Sequence, residues 1–274
     1  MMVLLRAEWE YFIEPFGSVQ LIDVSARSTE DRLPFMRRQW IVEATIIALV
    51  CWVTTAAITQ TEAATDDLSS VDSLVMMIDP HTYTVGNLRI DAKRREIVLP
   101  GWVNLDSGQV EYFATSPGGK THESVLVLDA VPLHLQTALL LLGFESGRTT
   151  MHFQGDSTEP LGDSVAICVK WQDPSGHDVI YQAHQLVYNA QRQSSMQATA
   201  WLFTGSMVID GRFMADLDGS FIATYADPVA VLNNPLAGRL DDTVYEANKK
   251  TLPKPGTPVA VTISKWSQPT LSKE

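Results

Sequence analysis

Cysteine is almost missing from this chain: Cys51 and Cys168 are the only two in 274 residues. Two thiols cannot supply a four-cysteine zinc or iron–sulfur site. Charge is also sparse, at 19% of residues, and lopsided, with 20 Lys and Arg against 32 Asp and Glu for a net −12. Nucleic-acid binding needs an electropositive face, which this balance does not provide. The 16 Gly and 14 Pro are too few for a collagen-like or low-complexity chain, and 45% apolar residues are too many for a disordered one. What is present is enough apolar chain to build a core without staples.

The first 64 residues read differently from the rest. Met36-Arg37-Arg38-Gln39-Trp40 is followed by an apolar run, Ile41 to Ile58, and then by Thr59-Gln60-Thr61-Glu62-Ala63-Ala64. A basic stretch, an apolar stretch and small residues are the three parts of a secretory signal. Thr61 and Ala63 take the −3 and −1 places for cleavage before Ala64, with Thr55 and Ala57 as the alternative pair. Such a signal belongs at a chain start, so translation is expected to begin at Met36, with 1–35 an untranslated upstream extension and 36–63 the signal. The alternative is an uncleaved anchor at 41–58, although the run is short for a spanning helix and contains Glu43. Val50 before Cys51 is a poor residue for a lipidation site.

Removing 1–63 takes away five basic and eight acidic residues, leaving 15 against 24, net −9, and Cys168 as the one thiol. In the run Val165-Ala166-Ile167-Cys168-Val169 that cysteine reads as a buried, inert side chain.

Residues 64–80 form a polar lead-in and 267–274 a tail. Between them lie short β-like runs separated by turn signals. Leu88-Arg89-Ile90 and Ile97-Val98-Leu99 flank the charged 91–96 as a hairpin. Val110 to Thr115 and Ser124 to Leu128 are strands around the turn Ser116-Pro117-Gly118-Gly119-Lys120. Val165 to Trp171 and Val179 to Val187 flank Asp173-Pro174-Ser175-Gly176-His177-Asp178, a hairpin signal. Ala198 to Phe203, Phe221 to Tyr225 and Val259 to Ile263 complete the strands. One helix stands out, with Pro132 in its first turn and Gly143 after its end. Leu139 to Leu142 point all round it, so it is expected to be buried on nearly every side. The fold class expected is therefore α+β: a single β-rich domain of antiparallel hairpins around one buried helix at about 132–142.

Several segments together resemble the YdjY-like domains of exported bacterial proteins. They are Gly119-Lys120-Thr121-His122-Glu123-Ser124, then Asp129, Pro132, His134 and Ala138 to Gly143, then Phe203-Thr204-Gly205-Ser206. Asp210 to Asp216, Asp218-Gly219, Glu246-Ala247-Asn248 and Pro255-Gly256-Thr257-Pro258-Val259 follow in order. The resemblance covers 81–266. It implies one exported domain and brings no assigned reaction. Some members carry a ferredoxin-like label, which one mature cysteine cannot satisfy, so no iron–sulfur cluster is expected.

The polar residues His122, Glu123, Asp129 and His134 are the candidates for a divalent metal, since histidine and carboxylates are its ligands outside cysteine sites. In a regular strand, His122 and Glu123 would face opposite sides. Glu123 and Asp129 would stand about 20 Å apart at roughly 3.3 Å per residue. That leaves His122 with His134 as the pair able to converge, if His134 reaches back from the helix start. The structural alternative has His122 on a turn carbonyl, Asp129 capping the helix and His134 covering its first turn. Asp210, Asp216 and Asp218-Gly219 offer carboxylates for calcium, but not at the spacing of the twelve-residue calcium loop. Phe203-Thr204-Gly205-Ser206-Met207 lacks the second glycine of a serine nucleophile elbow. Ser116 to Thr121 ends like a phosphate loop but lacks its first glycine and leads to a strand. Trp102, Trp171, Trp201 and Trp266 are scattered on strands as core residues, or as a carbohydrate-stacking surface.

These residues support an exported, envelope-associated binding or scaffolding domain, without demonstrated chemistry and with no cofactor expected. Its partner would be an envelope protein or polymer, and the membrane only if 41–58 stay uncleaved. The rivals are a metal-dependent hydrolytic enzyme using His122 and His134, and a calcium-stabilised adhesive module. N-terminal sequencing of the native protein is expected to start at Ala64; a start upstream of Met36 would overturn the reading of residues 1–35.

Overall fold

Alternation decides the longest strands. In Ser164–Gln172, Val165, Ile167, Val169 and Trp171 are buried while their neighbours face outward; Val259, Val261 and Ile263 do the same in Pro258–Lys265. Leu99, Val261 and Val169 stand side by side across three antiparallel strands, one row of a continuous core. The computed structural model describes residues 75–147 and 151–267. The expected upstream extension and signal, most of the lead-in and most of the tail lie outside the described residues.

In chain order the strands are β1 (Val75–Asp79), β2 (Thr82–Val85), β3 (Leu88–Asp91), β4 (Glu96–Val103), β5 (Tyr112–Thr115) and β6 (Ser124–Leu128). Helix α1 (Pro132–Leu141) follows, then β7 (Ser164–Gln172), β8 (Asp178–Gln182), β9 (Val187–Asn189), β10 (Ser194–Ser195) and β11 (Trp201–Phe203). The short β12 (Val208–Ile209), β13 (Arg212–Phe213) and α2 (Met214–Asp218) precede β14 (Ser220–Ala223), β15 (Leu232–Asn233), β16 (Tyr245–Ala247) and β17 (Pro258–Lys265).

Eight of these strands close on themselves in the order β4-β17-β7-β11-β15-β14-β5-β6, with β6 pairing back to β4. The expected α+β domain of antiparallel hairpins around a buried helix is thereby overturned. The fold is β-rich, as expected, but it is a closed barrel with two small helices, and two of its pairings, β5–β6 and β14–β15, are parallel. The stretch read as a hairpin turn at 116–120 belongs to the return connection of a parallel pair.

Closure happens on β4. Its first half pairs with β3, and from Gly101 onward it pairs with β6, through Gly101↔Leu128 and Val103↔Leu126. A Cβ on Gly101 would run into the carbonyl oxygen of Val127, so only glycine lets β6 approach. Strands β3, β2 and β1 extend the sheet outward from the same side of β4 that meets β6, and among the described residues β1 is its edge. Inside, Trp201 packs on Phe113 with ring centroids 5.7 Å apart, and both are fully buried.

Helix α1 does begin at Pro132 and stop before Gly143, which holds φ +74. It is not buried on every side. Leu135, Ala138 and Leu139 enter the core, whereas Leu133, Leu140 and Leu141 face outward, the last two at least half exposed. The helix lies against the barrel and its β2–β3 extension, so only one face meets protein. Among the described residues no helix is long and apolar enough to cross a membrane.

Replacing Gly101 by Ala is expected to destabilise the fold by about 1–3 kcal/mol in denaturant titration, because the clash is with backbone and not with a flexible side chain. Gly118, with open space around it, serves as the control, its Ala variant staying within about 0.5 kcal/mol.

Candidate functional site

Parallel neighbours need a connection that runs back along the sheet. Residues 116–123 return from the end of β5 to the start of β6, which sets Ser124 beside Tyr112. The returning loop carries Lys120 over Tyr112, 5.2 Å above its ring. Residues 224–231 return in the same manner from β14 to the parallel β15, bringing Asp227 to the same place. A third segment, 151–158, is held alongside when Gly155 N–H donates to Ala226 O at 2.7 Å.

The side chains from these three segments form one network. The Tyr112 hydroxyl donates to Asp227 Oδ2 at 2.7 Å, and it accepts from Lys120 Nζ at 3.1 Å and from Gln154 Nε2 at 3.3 Å. One donor and two acceptor sites are the full capacity of a phenol. Asp227 Oδ1 accepts Val229 N–H at 2.8 Å, and the Asp227 N–H donates to Asn233 Oδ1 at 3.0 Å. Gln154 Nε2 also donates to Glu111 Oε2 at 2.7 Å. Lys120 Nζ lies 3.9 Å from Glu123, whose other carboxylate oxygen is 3.6 Å from His122 Nε2.

Burial shifts the titration of this group upward. It pushes the Asp227 carboxyl above its ordinary range, against the opposing pull of Val229 N–H, Tyr112 and Lys120. Burial and then the Asp227 charge push the Tyr112 phenol far up as well. Glu111 is raised by burial and by Glu123. A phenol held so firmly protonated is neither a base nor a nucleophile at neutral pH. Chemically, the arrangement is a clasp that fastens three loops to one end of the barrel.

The candidates read from the sequence are divided. His122 and Glu123 lie at the margin of this network, His122 well exposed. His134 sits on the turn between β2 and β3, so close that a Cβ on Gly86 would strike its Nδ1. Burial lowers its pKa, opposed by the charge of Asp216. Asp216, a calcium candidate, caps α1: its Oδ1 accepts Leu133 N–H at 2.8 Å. That place is not taken by Asp129, which is exposed and fixed through its main chain, its N–H donating to Pro100 O at 2.9 Å. Asp210 lies in the β12–β13 turn with φ 50, and Asp218 ends α2. Among the described residues no three His, Cys, Asp or Glu side chains converge to hold a metal ion. Cys168 is a free, half-buried thiol whose pKa burial raises. Tyr112, Asp227, Gln154 and Glu111 were not singled out by their sequence surroundings; no local spacing marks residues that meet only through two return loops.

These features define a closed β-barrel domain with a polar clasp at one end. The sequence pattern of the YdjY domain matches residues 88–264, from the first residue of β3 almost to the end of β17, and the chain belongs to that family. No curated protein and no solved structure matches it.

Because folding raises the Asp227 pKa, the native state favours the protonated carboxyl, and its contribution is lost as pH rises from about 4 through the raised value. The stability of the natural chain relative to Asp227→Asn is therefore expected to fall with rising pH, by no more than ~1.4 kcal/mol per unit. Urea titrations of both proteins at several pH values check this; a difference that is flat or grows with pH would contradict it.

Proposed function

We propose that this protein is an exported binding or scaffolding domain of the cell envelope, and that it holds an extended polypeptide segment along β1. The export part rests on the signal-like segment at 36–63. The binding part rests on the state of β1, the observation that carries the reading.

Among the described residues β1 pairs with β2 alone, leaving its outer row of main-chain N–H and C=O groups without strand partners. Its three central side chains are apolar yet uncovered: Met76, Met77 and Ile78 are 63%, 68% and 59% exposed. Soluble domains ordinarily protect an edge strand with charge, proline or a cover, and contiguous exposed apolar residues mark interaction surfaces. Beneath the edge runs an apolar groove of about 240 Å³ lined by Val75, Tyr83, Ile90, Ala92, Leu141 and Leu142. The register pairs Val75 with Val85 and Met77 with Tyr83, so Val75 and Met77 share the groove's side of the sheet. A strand added to β1 would gain main-chain hydrogen bonds from the edge and place alternate side chains over the groove. Of the outward leucines of α1, Leu141 lines this groove.

Selection from a display library of random extended peptides against the purified protein is expected to enrich sequences with alternating apolar residues. Their affinity should fall roughly tenfold or more in Met77→Arg, with the melting temperature kept. Peptides indifferent to Met77→Arg, or protection of 75–79 from hydrogen exchange by the chain's own residues 64–74, would overturn the reading.

A further inference from the structure

We infer that a second, polar cleft, remote in sequence from β1 and independent of the reading above, binds a neutral saccharide. It lies between the hairpin of β9 and β10 and the segment 236–241, with β16 beneath, and encloses about 360 Å³. That is the lower end of the range for small-molecule sites, about 300–1,000 Å³, and suits one or two sugar rings.

The hairpin presents its side chains through a constrained turn. Gln193 holds φ 54, a left-handed conformation that costs a non-glycine residue energy and persists only where its surroundings enforce it. Arg192 N–H donates to Asn189 Oδ1 at 2.8 Å, and Gln193 Nε2 donates to Ala190 O at 2.6 Å, locking the turn. Gln191 and Arg192 are thereby fixed at the mouth of the cleft. Gln191 Nε2 donates to Asp241 Oδ2 at 3.2 Å, and Arg192 Nη1 donates to Gln197 Oε1 at 3.3 Å. Asp241 is itself oriented by Thr243, whose N–H and Oγ1 both donate to Oδ1, at 2.9 and 2.6 Å. Those bonds hold its carboxyl below the usual range, so it is a fixed acceptor.

The donor and acceptor set selects the ligand. Arg192 and Asp241 give one positive and one negative charge, so the lining has no net charge with which to attract an anion or a cation. Asn189, Gln191 and Gln197 add three amides, each able to donate and accept. A hydroxyl does both as well, and adjacent hydroxyls of a sugar match the paired oxygens of a carboxylate and the paired N–H groups of an amide or guanidinium. The far wall is apolar and shallow. Leu236 and Ala237 offer carbon surface for the C–H face of a ring, with Val244 buried behind them, and Gly238 packs so tightly that an added Cβ would lie 2.6 Å from the Tyr245 hydroxyl. Polar edges over a small apolar floor suit a polyhydroxylated ring, whereas a purely apolar ligand would desolvate the remaining donors and acceptors of the amides without replacing their partners.

The test is saturation-transfer NMR and calorimetry on the purified protein with three neutral disaccharides: cellobiose, maltose and N,N′-diacetylchitobiose. Millimolar or tighter binding of at least one is expected, weakened about tenfold in Arg192→Ala and in Asp241→Ala. Gln191→Ala, an exposed position, should weaken it in the same direction with an unchanged melting curve, which separates loss of a contact from loss of fold. Three results would each overturn the proposal: no transfer from any of these sugars up to about 20 mM, binding unaffected by all three substitutions, or preferential binding of the zwitterion glycine to the Arg192–Asp241 pair. Since β1 takes no part, Met77→Arg should leave sugar binding unchanged, so failure here and failure of the edge-strand reading are distinguishable.

Discussion

The approach of β6 to β4 at Gly101 is the constraint on which the rest of the molecule depends. β4 has two neighbours on one side, β3 along its first half and β6 beyond Gly101. The second neighbour fits because position 101 carries no Cβ to meet the Val127 carbonyl. Without that contact the strands would form an open sheet with β6 at its edge. With it, eight strands close and their inward side chains become one core. Position 101 is therefore where an added methyl group presses directly on closure.

Closure has a consequence for the polar chemistry. Once β6 is fixed beside β4, β5 lies parallel to β6, and the connection between them must double back across the barrel end. The same holds for β14 and β15. Two loops returning to one end deliver both Lys120 and Asp227 to the Tyr112 hydroxyl. A carboxylate buried as deeply as Asp227 is costly unless hydrogen-bonded and balanced. It receives two hydrogen bonds and the influence of Lys120 through the phenol, and Tyr112 spends its whole hydrogen-bonding capacity in the process. The clasp is therefore a product of topology: it fastens loops that parallel pairing obliges to meet.

The surface divides into two kinds of recognition chemistry. The β1 edge offers main-chain groups and uncovered methionines, which suits a partner supplying a strand. The cleft beside β9 and β16 offers amides and one opposed charge pair, which suits hydroxyls. The family match begins at β3, so the cleft falls within the part of the chain shared with the family and β1 falls outside it.

The amino-acid sequence by itself determined the local elements. Alternating residues in 165–171 and 259–263 make strands because pleating sends neighbours to opposite faces. Pro132 and Gly143 bound the helix because one tolerates a first turn and the other a left-handed end. The segments carrying the YdjY resemblance were legible too, being short runs in a fixed order along the chain. The tertiary structure alone decided how strands pair, which face of α1 is covered and which side chains meet. Leu140 and Leu141 are as apolar as Leu139, and only the placement of the neighbouring sheet leaves them outside. Gly101 gives no local sign that Val127, 26 positions on, will press against it, and Tyr112 and Asp227 lie 115 positions apart. Periodicity records what a residue's own backbone does; closure and clasp arise from long-range pairing, whose determinants are spread over the whole chain.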